Sequence, residues 1–370
     1  MDGITFVGLD VHVKTITMAV IRADGVAQEV GTLANTAAGL RKRLGKLGDP
    51  AQLTVCYEAG PCGYGIYREL TRQGIACQVI APSLIPTKAG DRVKTDRRDA
   101  VKLARLLRSG DLTAIGVPTP ELEALRDLSR ARQAAVTDLH RLRQRLLKLF
   151  SHHGQSEPAR LSRWERPWWS WATAVTLAQP ASQIVLDDLR TTIVASQTRL
   201  DRLTTDLLTA ASQSEPATLI TALQSLHGVG PITAIGIVAE VGDLTRFAHP
   251  TQLVAYGGLN PSEHSSGSRQ QRGGITKTGN RHVRYLIVEA AWHYAHPMRP
   301  ATHPPATVIA QIAAHARERL AHRYRALTGK HKANQAAAVA VARELLCFMW
   351  AIAQEVARPP SLPNAEQIAA

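Results

Sequence analysis

Four acidic residues stand at the ends of sequence segments whose patterns differ. Asp10 closes the apolar run Ile4-Thr5-Phe6-Val7-Gly8-Leu9, Glu58 closes Leu53-Thr54-Val55-Cys56-Tyr57, and Asp96 and Asp99 open a helical pattern in Thr95-Asp96-Arg97-Arg98-Asp99-Ala100. Side chains at adjacent strand ends can converge above a sheet, and a three-residue spacing puts Asp96 and Asp99 on one helix face. Four carboxylates meeting at one point repel. A divalent cation, Mg²⁺ or Mn²⁺, relieves that repulsion, polarises a phosphodiester and activates a hydroxyl. Singly, each acid has an ordinary explanation, because acids in a first helical turn suit the helix dipole. Together, at element ends, they point to a two-metal carboxylate site. Eight Lys or Arg crowd residues 88–108, among them Lys94, Arg97, Arg98 and Lys102, a density that suits a phosphate backbone passing the metals. A solvated basic helix face is the plainer account of the same run.

A second constellation begins at Leu226-His227-Gly228-Val229-Gly230-Pro231, ahead of an apolar helix over 232–241. This reads as the hairpin of a helix-hairpin-helix element, in which the turn at Gly228 and Gly230 offers backbone N–H groups to a phosphate without reading sequence. A glycine turn can also be purely geometric. Further on, Ser262-Glu263-His264-Ser265-Ser266-Gly267 precedes Arg269, Arg272, Lys277, Arg281 and Arg284, with no acid between those cations. Ser266 beside such a run could attack a phosphodiester, since cations hold the phosphate and favour the alkoxide. On chemistry alone, a plain Ser-Gly turn is the better reading. Gly273 to Asn280 lacks the spacing and preceding strand of a phosphate loop, and no G-x-S-x-G elbow supports a serine hydrolase. His293 and His296 lack a third ligand, and the four cysteines form no CxxC pair.

The elements that must position these residues follow from periodicity. Strands are expected over 4–9, 15–21 and 26–33, then a helix over 37–47, a strand over 53–57, a helix over 65–73 and a strand over 75–80. Three strands followed by alternating helix and strand match a ribonuclease H-like sheet. Leucines three or four apart predict a long helix over 121–150, and a second runs over 186–211. These two pair within the chain or between chains. Between them lie Trp164, Trp168, Trp169 and Trp171, which either stack on bases or form an aromatic plug where helices meet. Short helices, glycine turns and alanine-rich helices follow, and the proline-bearing end is expected to be a flexible tail.

The charge balance narrows the partners. Lys plus Arg number 44 against 30 Asp plus Glu, a net +14 that attracts polyanions. No uninterrupted apolar stretch of about 18 residues and no basic-then-apolar leader is apparent, so the expectation is a soluble protein of the bacterial cytoplasm, at the nucleoid, without a membrane partner.

In order along the chain, Gly8-Leu9-Asp10-Val11-His12, Tyr57-Glu58-Ala59, Lys94-Thr95-Asp96-Arg97-Arg98-Asp99-Ala100, Gly228-Val229-Gly230-Pro231, Ser265-Ser266-Gly267 and Gly274-Ile275-Thr276-Lys277-Thr278-Gly279-Asn280-Arg281 resemble the DEDD transposases of the insertion-sequence 110 family, relatives of the pilin-gene-inverting recombinase. The resemblance spans nearly the whole chain. It implies an α/β RuvC-like catalytic domain over 1–112, with Asp10, Glu58, Asp96 and Asp99 as metal ligands. A helical, coiled-coil linker over 113–215 and a mainly α C-terminal transposase domain over 216–357 would follow, with a tail over 358–370. It implies that Ser266, not the adjacent Ser265, forms a transient phosphoserine bond with DNA. Its implied partners are double-stranded donor and target DNA, a structured non-coding guide (bridge) RNA, and further copies of the chain in a dimer or tetramer. Gly267-Ser268-Arg269 departs from the second glycine that often follows this serine.

Two other readings remain open. A two-metal nuclease or Holliday-junction resolvase would use water as nucleophile, leaving Ser266 to bind phosphate. A non-catalytic DNA-binding descendant would have no need of four converging acids.

Overall fold

The computed structural model describes residues 3–22, 25–86, 95–263, 272–296 and 307–358. The chain divides into two compact units, Met1–Pro118 and Thr119–Ala370, each with its own core.

The first unit is built on β1 (Thr5–Val11), β2 (Thr15–Ile21), β3 (Ala27–Ala34), α1 (Ala37–Leu44), β4 (Leu53–Glu58), α2 (Gly65–Arg72), β5 (Ala76–Ile80) and α3 (Asp96–Ser109). Its sheet has the order β3-β2-β1-β4-β5; the first three strands pair antiparallel, while β1-β4 and β4-β5 are parallel. The expected mixed α/β sheet is therefore present, with strand ends shifted by a residue or two. Residues 113–118 stay with this unit because Ile115 donates its N–H to Val79 O (2.8 Å), while Val117 packs on the core.

Strand alternation sorts the two faces of the sheet. Val7, Leu9, Val55 and Tyr57 face a core closed by Leu40, Leu44 and Leu70 of α1 and α2. The opposite face carries Ala19, Ile21, Cys56 and Ile80 against Ala100, Leu103, Ala104 and Leu107 of α3. Gly8 lies on this second face. A Cβ there would run into the Ala100 carbonyl and come within 2.5 Å of Ala104 N, so glycine is what lets α3 lie directly on β1.

The second unit opens with α4 (Pro120–His152), α5 (Arg166–Ala174) and α6 (Pro180–Ser212). α4 and α6 pair within the chain and antiparallel: Arg132 donates to Thr204 (2.9 Å) and Arg143 to Gln197 (3.0 Å), and Arg199 faces Asp138 (3.7 Å). The tryptophans form the plug. Trp168 is fully buried against Phe150 and Trp171, and its Nε1 donates to Glu157 (3.2 Å).

The remainder is α7 (Ala217–Leu223), α8 (Pro231–Val241), α9 (Pro250–Tyr256), the hairpin β6 (Pro261–Glu263) and β7 (Arg272–Ile275), α10 (Arg281–Ala291), α11 (Val308–Gly329) and α12 (Asn334–Ala357). α12, with mean hydropathy 1.7, is long and apolar enough to cross a membrane by length and composition. Its Val341, Leu345 and Met349 are instead fully buried in the core of this unit.

Candidate metal centre and nucleic-acid interface

Asp10 and Glu58 are placed by the parallel pairing of β1 and β4. Leu9 lies beside Tyr57, so the next residue of each strand continues that register on the face covered by α3. Thr95 caps α3, its hydroxyl accepting from Arg98 N (3.3 Å). The cap fixes where the helix begins and puts Asp96 and Asp99 in its first turn, over the strand ends.

His12 closes the arrangement. Its Nε2 stands 3.2 Å from Asp10 Oδ2 and 3.5 Å from Asp96 Oδ2. One donor atom from each of Asp10, His12 and Asp96 fits within 4.8 Å, the one such set among the described residues. Burial pushes the Asp10 carboxyl above its ordinary value; His12 opposes that rise, and the negative charges of Asp96 and Asp99 add to it. Asp99 therefore acts on Asp10 through its charge. Glu58, half-buried, stands beside Asp10 in the sheet without joining the set. Two oxygens and an imidazole nitrogen are suitable donors for a divalent cation.

Arg97 and Arg98 are exposed on the first turn of α3, and Lys102 is half-buried a turn later. Lys94, Ser265, Ser266 and Arg269 lie outside the described residues.

In the second unit, α7 and α8 are joined by the glycine turn. Gly228 has φ 79°, and a Cβ there would strike Ala290 O and approach within 3.0 Å of His293 Cβ. Gly230 is the N-cap of α8, with no side-chain cap. The turn lines a cavity of about 690 Å³ together with His227, His293 and Arg317. Burial lowers the pKa of His227.

Lys277 and Arg281 are exposed on the segment leading into α10. That segment is anchored by a buried acid. Glu240, 2 % exposed, accepts two bonds from Arg130 (2.7 and 2.8 Å) and one from Asn280 Nδ2 (2.7 Å). Asn280 also caps α10, accepting from His282 N and Val283 N. Burial alone would raise the Glu240 pKa, but the bonds from Arg130 and Asn280 prevail and hold it low. Arg272 begins β7, in register with Glu263.

Sequence reasoning had not singled out His12 or Glu240. The signal for His12 was its position two residues after Asp10, the strand period. Glu240 was a lone acid in the apolar run over 232–241, a position that requires a partner.

A mixed sheet of this order, with acids at adjacent strand ends and two more on a helix laid across them, is the arrangement of a ribonuclease H-like domain. The profile of the transposase IS116/IS110/IS902 family matches residues 220–304, and a DEDD transposase profile of IS110 elements matches residues 7–153. A Sinorhizobium fredii protein named "Putative transposase y4qE" is 40% identical over 365 residues, covering 96% of this chain and 90% of that protein. The transposase for insertion sequence element IS1533 of Leptospira borgpetersenii is 28% identical over 346 residues, 88% of this chain and 97% of that one. The transposase for IS1111A of Coxiella burnetii is 29% identical over 227 residues, 61% of each. The chain belongs to the IS116/IS110/IS902 family of transposases, and with that family it is a DNA-processing enzyme that serves an insertion sequence.

Proposed function

We propose that the chain cuts and exchanges DNA strands through a metal-bound carboxylate centre of Asp10, Glu58, Asp96 and Asp99, with Ser266 as the nucleophile. The observation that carries the centre is the meeting of Asp10 and Asp96, 86 positions apart in sequence, within one 4.8 Å donor set. Bound Mg²⁺ or Mn²⁺ would supply charge neutralisation and polarisation of the scissile phosphodiester. Arg97, Arg98 and Lys102 would hold the backbone beside these acids, while Lys277 and Arg281, with Arg269 and Arg272, would grip the phosphate that Ser266 attacks. The serine oxygen bonds to phosphorus, the phosphorus–oxygen bond to the departing sugar breaks, and the proton leaves the serine for that sugar oxygen or for solvent. One phosphodiester replaces another, so a sugar hydroxyl can reverse the step and rejoin strands without an outside energy source.

In this reading the carboxylate domain, expected over 1–112, extends to residue 118, and residues 119–215 space it. Residues 216–357 contact DNA through the turn at Gly228 and Gly230 and supply the serine. The net charge of +14 suits both duplex DNA and a structured guide RNA, and the resemblance set out above is what points to the RNA. Exposed Ile184, Val185 and Val194 on α6 suit contact with a further copy of the chain.

The test is incubation of the protein with Mg²⁺, the RNA transcribed from its element's flanks, and labelled donor and target DNA, with products resolved under denaturing conditions. Label migrating with protein, absent for Ser266→Ala or with EDTA, is expected. Free cut ends that persist in Ser266→Ala would instead make this a two-metal nuclease or resolvase that activates water.

A further inference from the structure

We infer that His12 is itself a ligand of the metal held by Asp10 and Asp96, and that its nitrogen biases the centre toward a first-row transition ion over Mg²⁺. The inference rests on the carboxylate centre proposed above.

The geometry carries it. A single ring atom, Nε2, addresses carboxylates from two different elements, at 3.2 Å to Asp10 of β1 and 3.5 Å to Asp96 of α3. Adjacent ligands bound at about 2.1 Å around one cation stand about 3.0 Å apart. The His12 nitrogen thus needs to close on each oxygen by only a few tenths of an ångström to share an ion with it, and the three donor atoms already lie within 4.8 Å of one another. An exposed ion pair is a weak reason for a side chain to hold this position, and the His12 side chain is 53% exposed, beside an equally open Asp96 at 62%. Coordination is the stronger reason. His12 sits one residue beyond β1, two after Asp10, where the strand period keeps both side chains on the α3 side of the sheet.

The choice of donor also has a chemical consequence. Mg²⁺ keeps its waters and is served by carboxylates, whereas an imidazole nitrogen favours ions further along the first transition row. A carboxylate-only centre would discriminate between these ions less strongly.

Pulsed EPR of Mn²⁺ added below one equivalent to the full chain, without nucleic acid, reads the ligand directly. Wild type is expected to show nitrogen modulation from a coordinated imidazole, and His12→Gln to lose it. The same variant is expected to bind Mn²⁺ about tenfold more weakly, with a smaller loss for Mg²⁺. Bound Mn²⁺ without nitrogen modulation, or modulation unchanged in His12→Gln, overturns the inference, as does an equal loss for both ions. Asp10→Asn separates the two levels. If it abolishes Mn²⁺ binding while wild type shows no nitrogen, only the role of His12 falls. If it leaves Mn²⁺ binding intact, the carboxylate centre falls as well, and His12 with it.

Discussion

Gly8 of β1 lies against the backbone of Ala104 on α3, so close that a side chain at Gly8 would put its Cβ within 2.5 Å of Ala104 N. The obstruction is main chain and cannot rotate aside. The same helix carries Asp96 and Asp99 in its first turn, so the missing side chain at Gly8 sets how near those acids come to Asp10. Gly8→Ala is expected to destabilise the first unit by about 1–3 kcal/mol through overpacking. By lifting α3 it is expected to cost about 100-fold in strand cleavage. Chemical denaturation and a cleavage assay check the two effects; a variant as stable and active as wild type would refute the positioning role.

Asp10→Asn separates stability from function in the opposite sense. At neutral pH the Asp10 charge is partly buried and faces Asp96 and Asp99, while His12 compensates only in part. Asparagine keeps the shape and removes that charge. The metal-free variant is expected to melt no lower than wild type, and its melting temperature is expected not to respond to Mn²⁺, which should raise that of wild type by mass action. A melting temperature that rises equally in both proteins would place the ion elsewhere.

Much of this was legible beforehand because the informative residues sit at element ends. Asp10, Glu58 and the Asp96/Asp99 pair mark strand ends and a helix start, and alternation in Val7, Leu9, Val55 and Tyr57 marks the buried face. Contacts that bridge distant positions were not legible. His12 looks like any polar residue after a strand until Asp96, 84 positions later, arrives beside it. The leucines of α4 and α6 fit an intermolecular coil as well as a hairpin, and what decides is specific pairing such as Arg143 with Gln197. Trp168 could have faced bases, and only the closure of α5 onto Phe150 shows that it does not.

Glu240 is expected to be the most sensitive charged position of the second unit. Its 2 % exposure leaves Arg130 and Asn280 as its solvation. Removing one member of a buried pair typically costs about 3–5 kcal/mol, and the 44% exposure of the Arg130 side chain places Glu240→Ala near the lower figure. Calorimetry on the variant measures it; a loss within experimental error would mean that Arg130 and Asn280 are held by other contacts.

The same residue predicts an acid dependence. The Glu240 pKa is lowered in the folded chain: burial works against the shift, and the bonds from Arg130 and Asn280 outweigh it. A depressed carboxylate contributes stability that is fully present above its unfolded value, about 4.3, and is lost as pH falls through the lower folded value. Urea midpoints of wild type are therefore expected to fall on acidification below about pH 4.3, and Glu240→Gln to show a shallower fall over that window. Parallel curves for the two proteins would show that Glu240 does not contribute to the acid sensitivity.

Lys277 and Arg281 are expected to hold phosphate without reading sequence. Both are exposed on the segment fixed by Asn280, whose side chain caps α10 and donates to Glu240. Each phosphate neutralised by a cation contributes about 0.9 to the slope of log affinity against log salt on duplex DNA. The Lys277→Ala/Arg281→Ala double variant is therefore expected to lower that slope by about 1.8 and to weaken binding to all duplexes alike. Asn280→Ala leaves both cations in place but removes the cap and the bond to Glu240, so its effect is expected on stability first, at about 1 kcal/mol from the cap alone. Fluorescence anisotropy over a salt series, on one specific and one unrelated duplex, distinguishes these outcomes. A double variant that loses affinity for one sequence only, with an unchanged slope, would assign these cations to base contacts and remove them from the phosphate grip.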